Sequence, residues 1–438
     1  MMDDLVRLAE TASDSLLEAA ASSRYVRVVS HSDPDGIAAA AILSTALFRL
    51  DVPFHITLVS RFEEGVLDAI RSSAADLVVL CDMGSGQPEL VRRIDEEVIV
   101  LDHHRPVGEH RCIHVNPHLV GLDGSFELSA SGVAYFVARA MGENVDLSSL
   151  AILGALGDKQ SMRGANGFIL EEASLSGAVE RDHGLMLPDG ELESVLFRSL
   201  DPYFEFSGDS EMVDEFLSQL NLSGRISALD YGSLRRLASA LALMLLKRGA
   251  VEAIDSLIGE KYRFAHEVIP DAIELLSIVK ACGMLEEPGL ALSLCLRDDS
   301  VLEDARTLEE KGRERVLDTL KMAQRAVSER ENLRYVILSD VKGTGVIADT
   351  MVRYVFPEKP FLVLNQTPEI VKVSARGTRR QVSEGLDLAI AMRDAATLLG
   401  GVGGGHNIAS GASIPPGTEE EMIELVNEAI GRQLKGRE

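Results

Sequence analysis

Two kinds of run alternate along the first 160 residues. Short, nearly continuous apolar stretches occupy Tyr25–Ser30, Phe54–Ser60, Leu77–Cys81 and Val98–Leu101. Each is bounded by polar or turn residues, the pattern of a strand buried on both faces. The segments between them have helical spacing, and the Ala-rich Gly36–Phe48 predicts a helix packed closely on the first strand. Further helices are expected around Ala130–Ala140 and Ser148–Leu156. Strands alternating with helices imply a parallel, doubly wound sheet, whose ligands sit at the carboxyl ends of strands.

From about Leu185 to Leu333 the strand signal fades. Helical runs dominate, including Gly232–Lys247, Asp271–Ala281 and a charged connector, Leu302–Glu331. Strand-like runs resume at Tyr335–Ser339, Phe361–Asn365 and Ile370–Ala375, and a helix near Leu386–Leu398 leads into a glycine run, Gly400–Gly405, before His406. The expected organisation is therefore an α/β domain over 1–184, a helical insertion and connector over 185–333, and a smaller α/β domain over 334–438. A chain of 438 residues agrees with two or three cores.

Composition narrows the setting. Hydrophobic residues make up 46% of the chain, enough for buried cores. The longest apolar run, Leu237–Leu246, is too short to span a bilayer. Met1–Ala21 carries five acids and predicts an amphipathic helix rather than a signal peptide, so a cytoplasmic, membrane-free protein is expected. Cys81, Cys112, Cys282 and Cys295 have no C-x-x-C spacing, which predicts reduced thiols rather than disulfides or a zinc ribbon. The formal net charge of −26 disfavours wrapped duplex nucleic acid and favours a short or single-stranded polyanion met by local cations. It also leaves acidic surface for a protein partner.

Acids and histidines gather where the predicted strands end. Tyr25–Ser30 runs into His31-Ser32-Asp33-Pro34-Asp35-Gly36, Leu77–Cys81 into Asp82, and Val98–Leu101 into Asp102-His103-His104; the helix at Ser148–Leu156 ends in Gly157-Asp158. Neighbouring strand ends of a parallel sheet converge on one crevice. Taken singly, a D-x-D-G is an ordinary helix cap and a His-His pair says little. Four such ends in order point to a shared site. So many carboxylates need a compensating charge, because like charges raise one another's pKa. Oxygen ligands with one or two imidazoles suit Mn²⁺, and Mg²⁺ less well. Asp33 and Asp35 suit two adjacent ions with Asp82 between them, at a separation of about 3.5–4 Å that serves phosphoester or phosphoanhydride hydrolysis.

A second candidate is the glycine run. Glycines let backbone N–H groups approach a phosphate closely, and His406 could add a donor; the alternative is a surface loop. Arg376, Arg379 and Arg380 follow a predicted strand and would give a basic face, or a solvated charge run. Arg105, next to His104, either reaches substrate or points into water.

The motifs SHSDPDG, LCDMG, LDHH and GALGD, with SARG and GGVGGGHNIASG near the C-terminus, resemble those of DHH phosphoesterases of the DHH plus DHHA1 subclass, and in particular the archaeal RecJ-like exonucleases. The resemblance covers Tyr25–Asp158 and about Leu333–Pro415, and it implies residue roles. Asp33 and Asp82 would hold one Mn²⁺, with His31 as a further ligand standing where bacterial RecJ has an extra Asp. Asp35, Asp82, His103 and Asp158 would hold the other. His104 would contact the scissile phosphate and Asp102 would orient the histidines. Arg376 and the Gly403-Gly404-Gly405-His406 loop would grip substrate phosphates. The activity implied is exonucleolytic release of mononucleotides from single-stranded DNA or RNA. The alternatives are a phosphodiesterase for nano-oligonucleotides or cyclic dinucleotides, a replisome scaffold with a vestigial site and, more distantly, a pyrophosphatase. The oligonucleotide-binding barrel of bacterial RecJ has no counterpart here. The helical middle matches archaeal relatives that associate with the replisome factor GINS or with repair helicases.

Overall fold

The computed structural model describes residues 1–435. The apolar runs form a five-stranded parallel sheet: β1 (Val26–His31), β2 (Phe54–Val59), β3 (Leu77–Cys81), β4 (Glu97–Leu101) and β5 (Ile113–Val115). Their order is β2-β1-β3-β4-β5. Every pair is parallel, from Val26 opposite Phe54 at one edge to Ile99 opposite Ile113 at the other. β5 is too short to have stood out in the sequence.

Successive residues of the strands enter different cores. Val28, Val79 and Ile99 pack with the helices α1 (Met2–Ala21), α2 (Pro34–Arg49) and Ala130–Met141. Val29, Val78, Leu80 and Val100 pack on the other face with Phe62, Val66, Leu67 and Ile70. Coverage on both faces is why these strands read as unbroken apolar runs. The direction of winding reverses between β1 and β3, and their carboxyl ends flank the crevice of a doubly wound sheet.

The chain divides into two compact units, residues 1–182 with 261–309 and residues 183–260 with 310–438. The expected helical middle, 185–333, is thus shared between the two. It is not wholly helical either: Ile258–Phe264 is a strand, paired with Val179–Leu185. Gly259, Glu260, Lys261 and Arg263 dilute its apolar signal, although Tyr262 and Phe264 are buried. The connector helix is Leu302–Arg325, and the chain then enters a short strand at Ser328–Glu329.

The second unit holds a six-stranded mixed sheet. Its order is Val402–Gly405, Ala409–Ile414, Val371–Arg376, Phe361–Gln366, Arg334–Ser339, Ser328–Glu329. Only Phe361–Gln366 and Arg334–Ser339 pair in parallel. The expected glycine loop is therefore an edge strand. Its glycines answer to packing: a Cβ would lie 2.2 Å from the Ser413 carbonyl oxygen at Gly401, 2.5 Å from that of Met392 at Gly403 and 2.7 Å from that of Ala409 at Gly405. Low strand propensity hides such a segment, since what selects glycine there is the close backbone approach of packed neighbours.

The longest apolar run lies in the helix Tyr231–Arg248, which buries Leu237, Leu241 and Leu245 along one side. Among the described residues no helix is long and apolar enough to cross a membrane. All four cysteines are free thiols; Cys81, Cys282 and Cys295 are buried and Cys112 is half-buried.

Candidate metal centre

The first unit brings eight of the predicted residues together. His31 closes β1, and its Nδ1 lies 3.1 Å from Asp33 Oδ2 and 3.2 Å from Asp82 Oδ2. Asp33 caps α2, where one carboxylate oxygen accepts the Gly36 N–H at 3.0 Å. Asp82 follows β3 with φ of +57°, a left-handed conformation that aspartate tolerates better than most residues. That turn presents the carboxylate at the crevice while the Asp82 N–H stays bonded to the Leu101 carbonyl, 2.9 Å away.

Asp35 is completely buried in the first turn of α2. It accepts the N–H groups of Ala130 at 2.7 Å and Ser131 at 2.9 Å, donors in the first turn of the helix Ala130–Met141 that have no partner within the helix. A helix N-terminus favours a carboxylate. Gly154 makes room for it, because a Cβ there would meet Asp35 Oδ1 at 2.3 Å. Asp158 ends the helix Ser148–Gly157.

His103 joins these groups. Its Nδ1 donates to the Gly124 carbonyl at 2.7 Å, which turns Nε2 toward Asp82 Oδ1 at 3.3 Å, Asp158 Oδ2 at 3.4 Å and Asp35 Oδ2 at 3.8 Å. An imidazole held this way at one nitrogen offers the other as a ligand. His104 is held differently. Its Nδ1 donates to Asp102 Oδ1 at 2.8 Å, and the ring remains partly exposed. Asp102 is buried and also accepts the N–H groups of Ser85, His103 and His104.

Charge in this cluster is frustrated. Burial, reinforced by Asp82, pushes the Asp35 carboxyl up to about 6. Asp158 is raised well above the ordinary carboxylate range by burial and by Asp35. Burial works against a charge on His103, but the adjacent Asp82 and Asp158 carboxylates outweigh it and raise its pKa. At His31 burial is likewise outweighed, chiefly by Asp33. Protons thus bind where carboxylates crowd. Asp82 Oδ1 is buried and accepts no hydrogen bond, an arrangement that costs free energy unless a cation supplies the missing partner.

The donors sort into two neighbouring triads, His31, Asp33 and Asp82 on one side and Asp35, His103 and Asp158 on the other. Asp82 reaches into both, through Oδ2 to His31 and Oδ1 to His103. The residues present therefore fit oxygen- and imidazole-bound divalent cations.

Several contributors had no sequence signature. Ser85 Oγ lies 2.9 Å from His114 Nε2 and accepts from Asn116 Nδ2, which also donates to the His104 carbonyl. Gln160 Nε2 donates to the Gly124 carbonyl that holds His103. Toward Asp102 and His103, Ser85 and Gly124 act through backbone groups, which nearly every residue type possesses. Only Gly124 leaves a trace, since a Cβ there would meet the His103 carbonyl oxygen at 2.0 Å.

The remaining candidates sit on other elements of the chain. Arg105 is exposed after β4. Arg376, the last residue of Val371–Arg376, belongs to the second unit, as do Gly403, Gly404, Gly405 and His406. Its Nη1 donates to the Ala375 and Ser410 carbonyls, and it makes no ion pair among the described residues. Burial lowers its pKa against the pull of Asp349. Arg379 and Arg380 are exposed and pair with Asp255 and Glu384, the solvated alternative.

Residues 25–157 match the DHH family, N-terminal domain, and residues 341–432 match the DHHA1 domain. An uncharacterized protein of Methanocaldococcus jannaschii is 32% identical over 424 residues, 94% of either chain. The chain belongs to the DHH family. Among solved structures, RecJ of Thermus thermophilus in complex with Mn²⁺ superposes with a TM-score of 0.63 at 18% identity. That alignment covers 97% of this chain and 55% of the other, so this DHH protein spans about half the length of that relative. CDC45 of Entamoeba histolytica superposes with a TM-score of 0.68 at 11% identity, over 97% and 99% of the two chains. At such identities the likeness is one of fold.

Proposed function

We propose that this DHH-family protein is a Mn²⁺-dependent phosphodiesterase acting as an exonuclease on single-stranded DNA or RNA. The observation that carries this reading is the buried Asp82 oxygen that accepts no hydrogen bond, at the meeting point of two His/Asp triads. When bound there, two divalent cations would neutralise the carboxylates, make water nucleophilic near neutral pH and stabilise charge developing at phosphorus.

The chain's own groups do the rest. Asp33, Asp35, Asp82, His31, His103 and Asp158 fix the positions of both charges. Asp102 holds the His104 proton at Nδ1, which leaves Nε2 for a phosphate oxygen. The raised pKa of His104 arises because Asp102 outweighs the burial that opposes its charge, and it suits that ring to donate to an anion. In the second unit, Arg376 is a half-buried guanidinium that makes no ion pair among the described residues, so it can take an anionic partner. Together with Gly404 and His406 it is our candidate for binding substrate phosphates.

Gly404 separates packing from binding. A Cβ there would have nothing within 4 Å, unlike its neighbours. Gly403→Ala should lower the thermal midpoint. Gly404→Ala should leave it unchanged and raise KM for oligonucleotide. An unchanged KM in Gly404→Ala would confine the glycine run to packing.

A labelled dinucleotide and a long single strand, each incubated with Mn²⁺, test the substrate class. Stepwise release of mononucleotides from the long strand is the expected result. Cleavage of the dinucleotide alone would favour a small-substrate phosphodiesterase, a reading the net charge of −26 supports. Partner binding without hydrolysis would favour a scaffold, against which the complete set of ligand residues argues.

A further inference from the structure

Residues 261–309 return to the first unit after the chain has left it. They lie beyond the stretch that matches the DHH N-terminal domain. Their helix Ala272–Met284 packs beside α2 and beside the helix Ser148–Gly157. These two helices carry the ligand loops.

Gly283 marks the first contact. A Cβ at this position would stand 2.3 Å from the carbonyl oxygen of Ser32 and 3.9 Å from Cα of Asp33. Glycine inside a helix is unfavourable relative to alanine. Gly283 has no positive φ to require it. The approach to Ser32 is what excludes a side chain. Two turns earlier, on the same face, Leu276 reaches the second loop: its Cδ1 would lie 3.7 Å from a Cβ at Gly157, the residue before Asp158. One helix face thus abuts the residue preceding Asp33 and the residue preceding Asp158, which belong to different triads.

The segment is also anchored at the far end of the helix that presents Asp158. Glu267 accepts the Ser149 hydroxyl at 2.6 Å, and Arg297 bonds to Asp146 at 2.7 Å. Sliding or tilting of the helix Ser148–Gly157 would break these contacts.

We propose that the helix Ala272–Met284 is a brace that sets the spacing of the two cation positions, with Gly283 and Leu276 as positioning residues. This rests on the metal-centre reading above. Moving the Ser32 carbonyl or the Gly157 backbone displaces a ligand from one triad and leaves the other triad in place, so the two cation positions lose their mutual distance.

The test is a Mn²⁺ titration of the full chain by calorimetry, with electron paramagnetic resonance of the bound ions. Wild type, Gly283→Ala, Leu276→Ala and Asp82→Asn are compared, and folding is checked by circular dichroism. Both brace variants should fold and bind Mn²⁺ about tenfold more weakly, the scale of supporting groups around metal ligands. The spin-coupled signal of a close Mn²⁺ pair should be lost or altered in Gly283→Ala. Wild-type affinity and an unaltered spectrum in the folded variants would overturn the brace. Should Gly283→Ala fail to fold, Leu276→Ala decides alone, since it adds no atoms. If wild type itself shows no Mn²⁺ binding that depends on Asp82, the metal-centre reading fails and the brace falls with it.

Discussion

Asp82→Asn is expected to cut Mn²⁺-dependent phosphodiester hydrolysis by about a thousandfold. A change of roughly 4 kcal/mol in the barrier corresponds to that factor, within what loss of a shared metal ligand can cost. The substitution isolates charge from backbone. Position 82 has φ of +57°, where asparagine is nearly as comfortable as aspartate and alanine is not. It keeps the shape of the side chain and removes the negative charge that both triads share through the His31 and His103 contacts. Steady-state kinetics with saturating Mn²⁺ provide the measurement. Activity within tenfold of wild type would rule out the two-cation arrangement.

Arg297→Met should destabilise the first unit by about 3–5 kcal/mol, the usual penalty for stripping the partner from a buried charge. In a domain of this size that lowers Tm by roughly 10 °C. The guanidinium donates to Asp146 Oδ2 at 2.7 Å, to the Asp146 carbonyl at 3.0 Å and to Glu267 Oε1 at 3.2 Å. Glu267 is buried, and its Oε2 already lacks a hydrogen bond. Asp146 is less exposed to the loss, because Arg49 also grips it with two hydrogen bonds.

The pH dependence of that variant has a definite sign. Burial raises the Glu267 pKa against the pull of Arg297. Removing Arg297 raises it further, so the folded variant binds a proton more tightly than the unfolded chain. Stability from that source is present at low pH and is lost as pH rises through the folded value. The deficit against wild type should therefore be larger at pH 8 than at pH 5 in thermal unfolding. An equal deficit at both would show that Arg297 acts through packing. Asp146 has the opposite sign in wild type. Burial is outweighed there by hydrogen bonds from Arg49 and Arg297, which hold its carboxyl at about 2. Its contribution is complete above the unfolded value and is lost as pH falls toward 2.

The parallel sheet was legible in the sequence because strands covered on both faces must be apolar at every position, as Leu77–Cys81 is. The edge strand Val402–Gly405 and the strand Ile258–Phe264 were not, because their composition answers to local contacts rather than to a periodic pattern. The gathering of acids and histidines at one crevice was legible for a related reason. In a doubly wound sheet the chain leaves every strand at the same edge, so residues adjacent to apolar runs share a crevice even when far apart in the chain. His31, Asp82 and His103 needed no knowledge of packing to be grouped.

What holds those side chains was settled only by tertiary structure. The N–H groups of Ala130 and Ser131 on Asp35, the carbonyl of Gly124 on His103 and the N–H of Ser85 on Asp102 are backbone contacts. Apart from proline's missing N–H, backbone groups are the same in every residue, so no letter of the sequence announces them. The docking of residues 261–309 behind the ligand loops was equally hidden, for it depends on a close approach between Gly283 and Ser32 that exists only once both helices are packed. The sequence alone determined which side chains could carry the charge and the chemistry. Tertiary structure decided how they are held, because holding depends on distances between groups that are remote in the chain.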